Sequence, residues 1–368
     1  MRNGLKSILY IFAFLISEFL IAQNEITTDV QQLEVTERDN AFFRKDKFWR
    51  GADGAATIDL ENGKILWLFS DTFIDTDGTG KRTNSIMINN TIAIQNGNDI
   101  GKSNLSFYWK GKIKKPKAFF ELPGKNWLWT GHGTLVNDKL VVFLFEEKAT
   151  NEGLGFETVG WYVALIDNPK DKPELWKINY KKGLETFGVI VGSSAVLKDS
   201  NFVYAFGVKE PGTHETYLLR FEKDQLATGD LSGMEWWVNN TWTKNVTEEP
   251  KSSVLFSGQT EFSVHFDKES EKYIQIQTYG FGHSSIGYRL ADHLHGPWSE
   301  PVIFYTPRVK HEKEFTYTAN AHPELQADGL LITYNVNNFD FDRLVNDETI
   351  YFPKIVTLKI EKYKRLGK

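Results

Sequence analysis

Five residues hold corresponding places in a repeated stretch of this sequence, and four of them can ionise: Asp53, His132, Ser193, Glu261 and His322. A sixth, Asp71, closes the hairpin that Asp53 opens. Carboxylates and imidazoles gathered at one place are the equipment of general acid and base catalysis. A buried ring of them is costly unless it is hydrogen-bonded, metal-bound or catalytic. Each residue alone has a plainer reading. A single His is commonly a satisfied structural group, and Asp53 beside Gly54, or Asp71 beside Thr72, could bond local backbone at a strand end. The shared register, and the joint position of Asp53 and Asp71 at the inner ends of one hairpin, argue for a common site.

What must position these residues is a series of short strands. Apolar residues alternate over short stretches punctuated by Asn, Asp and Gly, which is the pattern of antiparallel strands rather than of helices. Asp53 to Leu60, the turn from Glu61 to Lys64, and Ile65 to Asp71 form a hairpin with an Asn-Gly turn signal. The same grammar recurs from Gly131 to Glu146, Ser193 to Phe206, Glu261 to Tyr279 and His322 to Asn335. Successive units, counted from Asp53, His132, Ser193, Glu261 and His322, lie 79, 61, 68 and 61 residues apart. Each leaves room for two further strands: Ser85 to Ile94, Gly160 to Ile166, Thr216 to Phe221, Ser285 to Leu290 and Pro353 to Ile360. Four antiparallel strands repeated five times predict an all-β, five-bladed β-propeller, a radial fold with only short, protected edges. The first strand of each blade then borders the central channel and presents its first residue at the mouth, where ligands sit. A β-sandwich would not repeat one hairpin at this period.

The 368 residues are 41% hydrophobic and 25% charged, ordinary for a globular protein with a large core. A net charge of −5 argues against nucleic acid as a partner, since a phosphate backbone selects a basic face. Lys110, Lys112, Lys114, Lys115 and Lys117 are the local exception and read as a solvated loop. The absence of Cys excludes disulfides, thiolate zinc sites and cysteine nucleophiles. There is no phosphate-binding Gly loop, nucleophile elbow or dinucleotide fingerprint. Residues 1–22 carry Arg2 and Lys6 and then an apolar run from Ile8 to Ala22, the pattern of a removed signal peptide. Residues 23–368 are then expected to form a single propeller domain with no membrane span, located in a periplasm or outside the cell.

The stretch Trp49-Arg-Gly-Ala-Asp-Gly-Ala-Ala through Leu68-Phe-Ser-Asp-Thr-Phe73 resembles the first blade of five-bladed, furanosidase-type glycoside hydrolases. It is most similar to the bacterial endo-D-arabinanase-like group catalogued as a domain of unknown function. Gly229 to Trp237, Tyr288 to Val302 and Ala321-His-Pro-Glu-Leu325 carry the likeness into further blades. The resemblance implies a carbohydrate-active enzyme with Asp53 and Asp71 as its catalytic pair. Glu261 occupies the register in which the wider arabinanase-like propellers place a general acid. An inverting hydrolase needs two such carboxyls roughly 6.5–9.5 Å apart.

Two departures qualify that implication. Where the group usually reads Trp-Pro-Gly-Asp-Gly, this chain reads Trp129-Thr-Gly-His-Gly133, and Ser193 stands where the arabinanase-like pattern has a pKa-tuning Asp. A His-rich mouth also suits β-elimination beside a uronate carboxylate, by a lyase or a dehydratase. His132 and His322 would then act as base or carboxylate partner, Tyr279 as acid, and Arg82 or Arg289 as a bidentate clamp. Asn84 joins Arg82, Tyr279 and Arg289 as an expected substrate contact. A third reading is glycan binding without catalysis, for which 11 Trp and 14 Tyr supply stacking surfaces; Trp236, Trp237 and Trp242 read instead as packing. Glycoside hydrolysis leads these readings, and the partner in all of them is an oligosaccharide or polysaccharide. The sequence requires no cofactor, and it leaves open an axial divalent cation on His322 with His132 and Asp53 as further ligands.

Overall fold

The structure, a computed structural model, describes residues 32–61, 63–210, 212, 214–250 and 254–361. The leader expected at residues 1–22 lies outside them. Val35–Leu358 forms one compact unit. Among the described residues no helix is long and apolar enough to cross a membrane.

After β1 (Gln32–Arg38) the chain builds five antiparallel sheets in succession. Blade I contains β2 (Trp49–Asp59), β3 (Lys64–Asp75), β4 (Ser85–Ile88), β5 (Thr91–Asn96) and β6 (Leu105–Tyr108). A two-stranded ribbon, β7 (Lys110–Lys112) and β8 (Lys115–Lys117), follows where the lysine run was expected to be a loop. Blade II is β9 (Trp127–Val136), β10 (Lys139–Ala149), β11 (Phe156–Ile166) and β12 (Ile178–Lys182). Blade III is β13 (Val189–Lys198), β14 (Phe202–Lys209), β15 (Thr216–Glu222) and β16 (Glu235–Val238), extended by β17 (Thr241–Thr243). Blade IV is β18 (Ser263–Asp267), β19 (Lys272–Tyr279), β20 (Ser285–Ala291) and β21 (Val302–Tyr305). Blade V is β22 (Glu314–Ala321), β23 (Leu330–Asn338) and β24 (Lys354–Glu361), and its fourth strand is β1. Arg38 Nε meets Thr357 Oγ1 at 3.4 Å across that closure. The whole is the five-bladed β-propeller that the repeat predicts.

Apolar faces of neighbouring sheets pack against each other and fix the blades. Leu66, Leu68 and Ile92 of blade I meet Leu140, Val142 and Leu144 of blade II. Trp49, Trp67 and Phe69 meet Leu331, Phe352 and Ile355 of blade V. Trp236 is buried in the core shared by blades II and III, as expected of a packing residue. Burying one such side chain is worth about 1.5–3 kcal/mol.

Four inner strands lose their ladder register near the site. Pairing slips around Ala52–Ala56 in β2, between Thr130 and Gly133 in β9, between Val191 and Val196 in β13, and between Tyr317 and Asn320 in β22. An extra residue in a strand bends it and re-aims the side chains that follow. Gly54, Ala55, Gly192 and Thr318 accordingly have φ of 84°, 74°, 74° and 53°. The strand expected from Ser85 to Ile94 is likewise two strands, β4 and β5, parted at Asn89 and Asn90. Asn90 leaves the ladder because its side-chain amide donates to the carbonyls of Phe120 and Leu128, both at 2.8 Å, and its Oδ1 accepts from Phe120 N–H at 2.7 Å. That gap faces Ser70 and Asp71, so the residue opposite Asp71 is free to serve it.

Candidate active site

The two ends of the β2–β3 hairpin bring Asp53 and Asp71 together, because Ala52 pairs with Thr72 and Gly54 with Phe69. Both carboxyls are half-buried, as is Glu261 in the segment leading into β18. A Cβ at Gly54 would lie 3.6 Å from Glu261 Oε1 and 3.3 Å from Ser70 N, so this glycine leaves room for the blade IV carboxyl beside Asp53. Three carboxyl groups therefore share one end of the channel.

Their partners differ. Asp53 Oδ2 accepts hydrogen bonds from the hydroxyls of Tyr317 (2.7 Å) and Tyr351 (3.2 Å), while Oδ1 is buried without a partner. The Tyr351 hydroxyl also lies 3.1 Å from the Asp71 carbonyl, so it ties both halves of the hairpin end. Asp71 Oδ1 accepts from Trp129 Nε1 at 2.8 Å, with Asn89 Nδ2 at 3.5 Å. Glu261 makes no hydrogen bond among the described residues.

Burial penalises the charged form of each acid. It pushes Asp53 up to about 6, against the two tyrosine hydroxyls that favour the ion. Burial and then the Asp53 charge push Asp71 up to about 8. The same two causes hold Glu261 well above the usual carboxylate range. Tyr317 and Tyr351 are held well above 10 by burial and by Asp53, so both remain donors. All three acids are thus pushed toward the proton-bearing form, Asp53 less than Asp71 because its two tyrosine donors favour the ion.

The histidines do not join this cluster. His322 follows β22 instead of opening blade V, whose inner strand begins at Glu314; the level of Asp53 is taken by Tyr317. His322 is fully buried, with Nδ1 2.6 Å from Thr57 Oγ1, Nε2 2.8 Å from Thr333 Oγ1 and its ring 4.9 Å from that of Trp67. Burial, then His132, lowers it to about 3. His132 also lies beside Thr57 and is lowered by burial to about 4. Thr57 is four residues beyond Asp53 on β2, roughly 10–13 Å along a strand. The expected axial cation therefore does not fit its expected ligands. Both His322 nitrogens are engaged by hydroxyls, and Asp53 is at another level. Among the described residues the group with metal-ligand proximity is His311, Glu314 and Asp347, which already holds Arg343 against Asp347 at 2.8 Å.

The remaining expectations divide. Ser193 is buried on the inner strand of blade III, its hydroxyl 3.5 Å from that of Ser194. Arg82 is no substrate clamp: its buried guanidinium donates to the carbonyls of Arg50 (2.9 Å), Ile350 (2.6 Å) and Leu344, clasping blades I and V. Arg289 donates to the Ser299 carbonyl at 2.6 Å and lies over the rings of Phe256 and Tyr279. Tyr279 is bonded within blade IV to Gln275 Oε1 at 3.3 Å, and burial pushes it up to about 12. Asn84 is exposed, its carbonyl accepting from Thr76 Oγ1 at 3.2 Å.

Residues that the sequence reading did not assign to the site complete it: Tyr317, Tyr351, Trp129, Asn89 and the fully buried Glu147. Glu147 accepts from Thr158 Oγ1 at 2.5 Å and is pushed by burial up to about 7, and its charge is one of the causes that raise Asp71. The alternation of Glu314-Phe-Thr-Tyr-Thr-Ala319 was the available signal for Tyr317.

A five-bladed propeller with acidic side chains at one end of its channel is the class these observations define. Within it, the chain belongs to the family described as a domain of unknown function, DUF5005, whose model matches residues 37–358. No curated protein matches the sequence. Among solved structures the chain is similar to a candidate hydrolase from Bacteroides ovatus ATCC 8483, with 18% identity, a TM-score of 0.73, and coverage of 89% of this chain and 90% of that one. It is also similar to an exo-β-1,3-galactanase from Phanerochaete chrysosporium, with 11% identity, a TM-score of 0.50, and coverage of 84% of this chain and 60% of that one. At these identities the likeness is one of fold.

Proposed function

We propose that the protein is a glycoside hydrolase acting on neutral glycans at the acidic end of the channel. The observation that carries this reading is the convergence of three half-buried carboxyls, of which Asp53 accepts from two tyrosine hydroxyls. Asp53, kept ionised by two tyrosine hydroxyls, is the general base that activates water. Glu261, holding its proton beside Asp53, is the general acid for the departing sugar oxygen. Asp71, protonated and fixed by Trp129, limits the charge that Asp53 must tolerate. The presence of galactanase among proteins of similar fold is consistent with a saccharide substrate.

Two of the residues on which the elimination reading depended are otherwise engaged. Arg82 is committed to carbonyl groups, and the His322 nitrogens are both engaged away from the carboxyls. An acidic mouth also repels a uronate. The experiment is incubation with neutral and with uronic-acid-containing oligosaccharides, followed by mass spectrometry and absorbance of unsaturated uronates. Products that gain water from a neutral glycan support the proposal. Unsaturated products, or loss of water from an intact chain, reject it.

A further inference from the structure

A line of aromatic rings leads away from the carboxyl cluster. Tyr317, whose hydroxyl donates to Asp53, has Phe315 beside it with ring centroids 5.1 Å apart. Phe315 stacks on Phe339 at 4.3 Å and 25°, and Phe339 is followed by Phe281 at 6.0 Å. The line thus begins inside the channel and ends in solvent, where Phe339 is 50% and Phe281 82% exposed.

The backbone beneath these rings is fixed. Phe281 stands between Gly280 and Gly282, with φ of 99° and 82°, at the tip of the β19–β20 connection. That tip is pinned to blade V by Thr316 N–H donating to the Gly282 carbonyl at 3.0 Å, and His283 Nε2 lies 3.2 Å from the Pro307 carbonyl. Phe339 N–H donates to the Lys313 carbonyl at 3.1 Å. A backbone held in place before a ligand arrives loses little freedom on binding it.

We propose that Phe315, Phe339 and Phe281 form a glycan-binding subsite that continues from the carboxyl cluster across blades V and IV, making the substrate an extended saccharide chain. This rests on the carbohydrate reading above. Sugar rings have apolar C–H faces and hydroxyl edges, which suits a narrow aromatic line flanked by the exposed polar residues Glu312, Lys313, His283 and Asp340. A protein partner is a poorer match. A stable interface takes about 800 Å² from each side, and a Phe can contribute about 150–250 Å² only if wholly covered. Phe315 and Phe339 already cover one another.

The test is electrophoresis of the native protein through gels containing arabinan, β-1,3-galactan or xylan, comparing wild type with Phe281→Ala, Phe339→Ala and the double variant. Retardation of the wild type by at least one polysaccharide, with affinity reduced about tenfold per substitution, is the expected result. Variants retarded as strongly as the wild type overturn the subsite, and so does a wild type retarded by none of the three. Concentration-dependent dimerisation lost in Phe281→Ala, without retardation, assigns the ridge to a second copy and also overturns it. Retardation requires no turnover, so a failed hydrolysis assay leaves this reading separate. Should the double variant not fold, Phe281→Ser at the exposed loop tip gives the same comparison alone.

Discussion

At the mouth of the channel Asp53, Asp71 and Glu261 stay partly open to solvent and are pushed toward the neutral acid. Further along β2, His132 and His322 are pushed toward the neutral base. The cause is the same in both places, since burial penalises whichever form carries charge. The difference lies in what surrounds the groups. Two tyrosine donors favour the ion on Asp53 beside neighbours pushed further toward the acid, which is the contrast that the proposed proton transfer uses. Two threonine hydroxyls occupy His322 from both sides and leave it nothing to exchange. On the proposed function, titratable residues on one axis serve chemistry at one level and packing at the other.

The two levels also load stability in opposite directions with pH. Asp53 and Asp71 have folded values of about 6 and about 8, above the ordinary 3.8. The folded state therefore holds protons that the unfolded chain has lost, and stability from this source is full below about 4 and disappears as pH rises through 6 to 8. His132 and His322, at about 4 and about 3 against 6.5, do the reverse. Their contribution is present above about 6.5 and is lost as pH falls toward 3.

The sharpest way to break this contrast is Asp53→Asn, which should lower turnover about 10²–10⁴-fold while the melting temperature moves by a few degrees at most. Near-normal turnover would remove Asp53 from the chemistry and erase the distinction between the levels. His322→Ala should instead cost about 2–4 kcal/mol of stability by urea unfolding, because it leaves Thr57 and Thr333 without their partner and opens space beside Trp67. Turnover per folded molecule should persist, and its disappearance would return His322 to the catalytic set. Tyr317→Phe removes one donor to the Asp53 ion, so it should raise the Asp53 pKa and move the acid limb of kcat/KM to higher pH, with about a tenfold loss near pH 6. An unmoved limb would assign the base elsewhere. The smallest effect is expected from Asp71→Asn on stability: a melting temperature raised by a few degrees at pH 9 and unchanged at pH 4. A gain of equal size at both pH values would have a cause other than the carboxyl proton.

The pairing of Asp53 with Asp71 was legible because it is local: an Asn-Gly turn folds one short hairpin and its ends must meet. Glu261 was legible through the repeat. Tyr317, Tyr351 and Trp129 were not, since they reach the pair from 264, 298 and 58 residues away, in other blades. His132 and His322 were expected at the mouth as opening residues of aligned hairpins, but His132 lies within β9 and His322 follows the inner strand of blade V. The slip at Gly131–His132 falls on the expected blade II entry, whereas that at Thr318–Ala319 lies in an inner strand that the hairpin expected from His322 did not include. Arg82 failed as a clamp for another reason, because a lone guanidinium in sequence gives no sign that three carbonyls converge on it.

Alternation of apolar residues and turn signals act over a few residues, and repeated five times they determined by themselves that this protein is an all-β propeller with two carboxylates at the end of its first hairpin. Only the tertiary structure decided which of the axial groups share a level, which acid has tyrosine donors that favour its charge, and that β1 completes the last blade. Those outcomes depend on closing the ring of blades and on how far each side chain is withdrawn from water, and neither is carried by any short stretch of the chain.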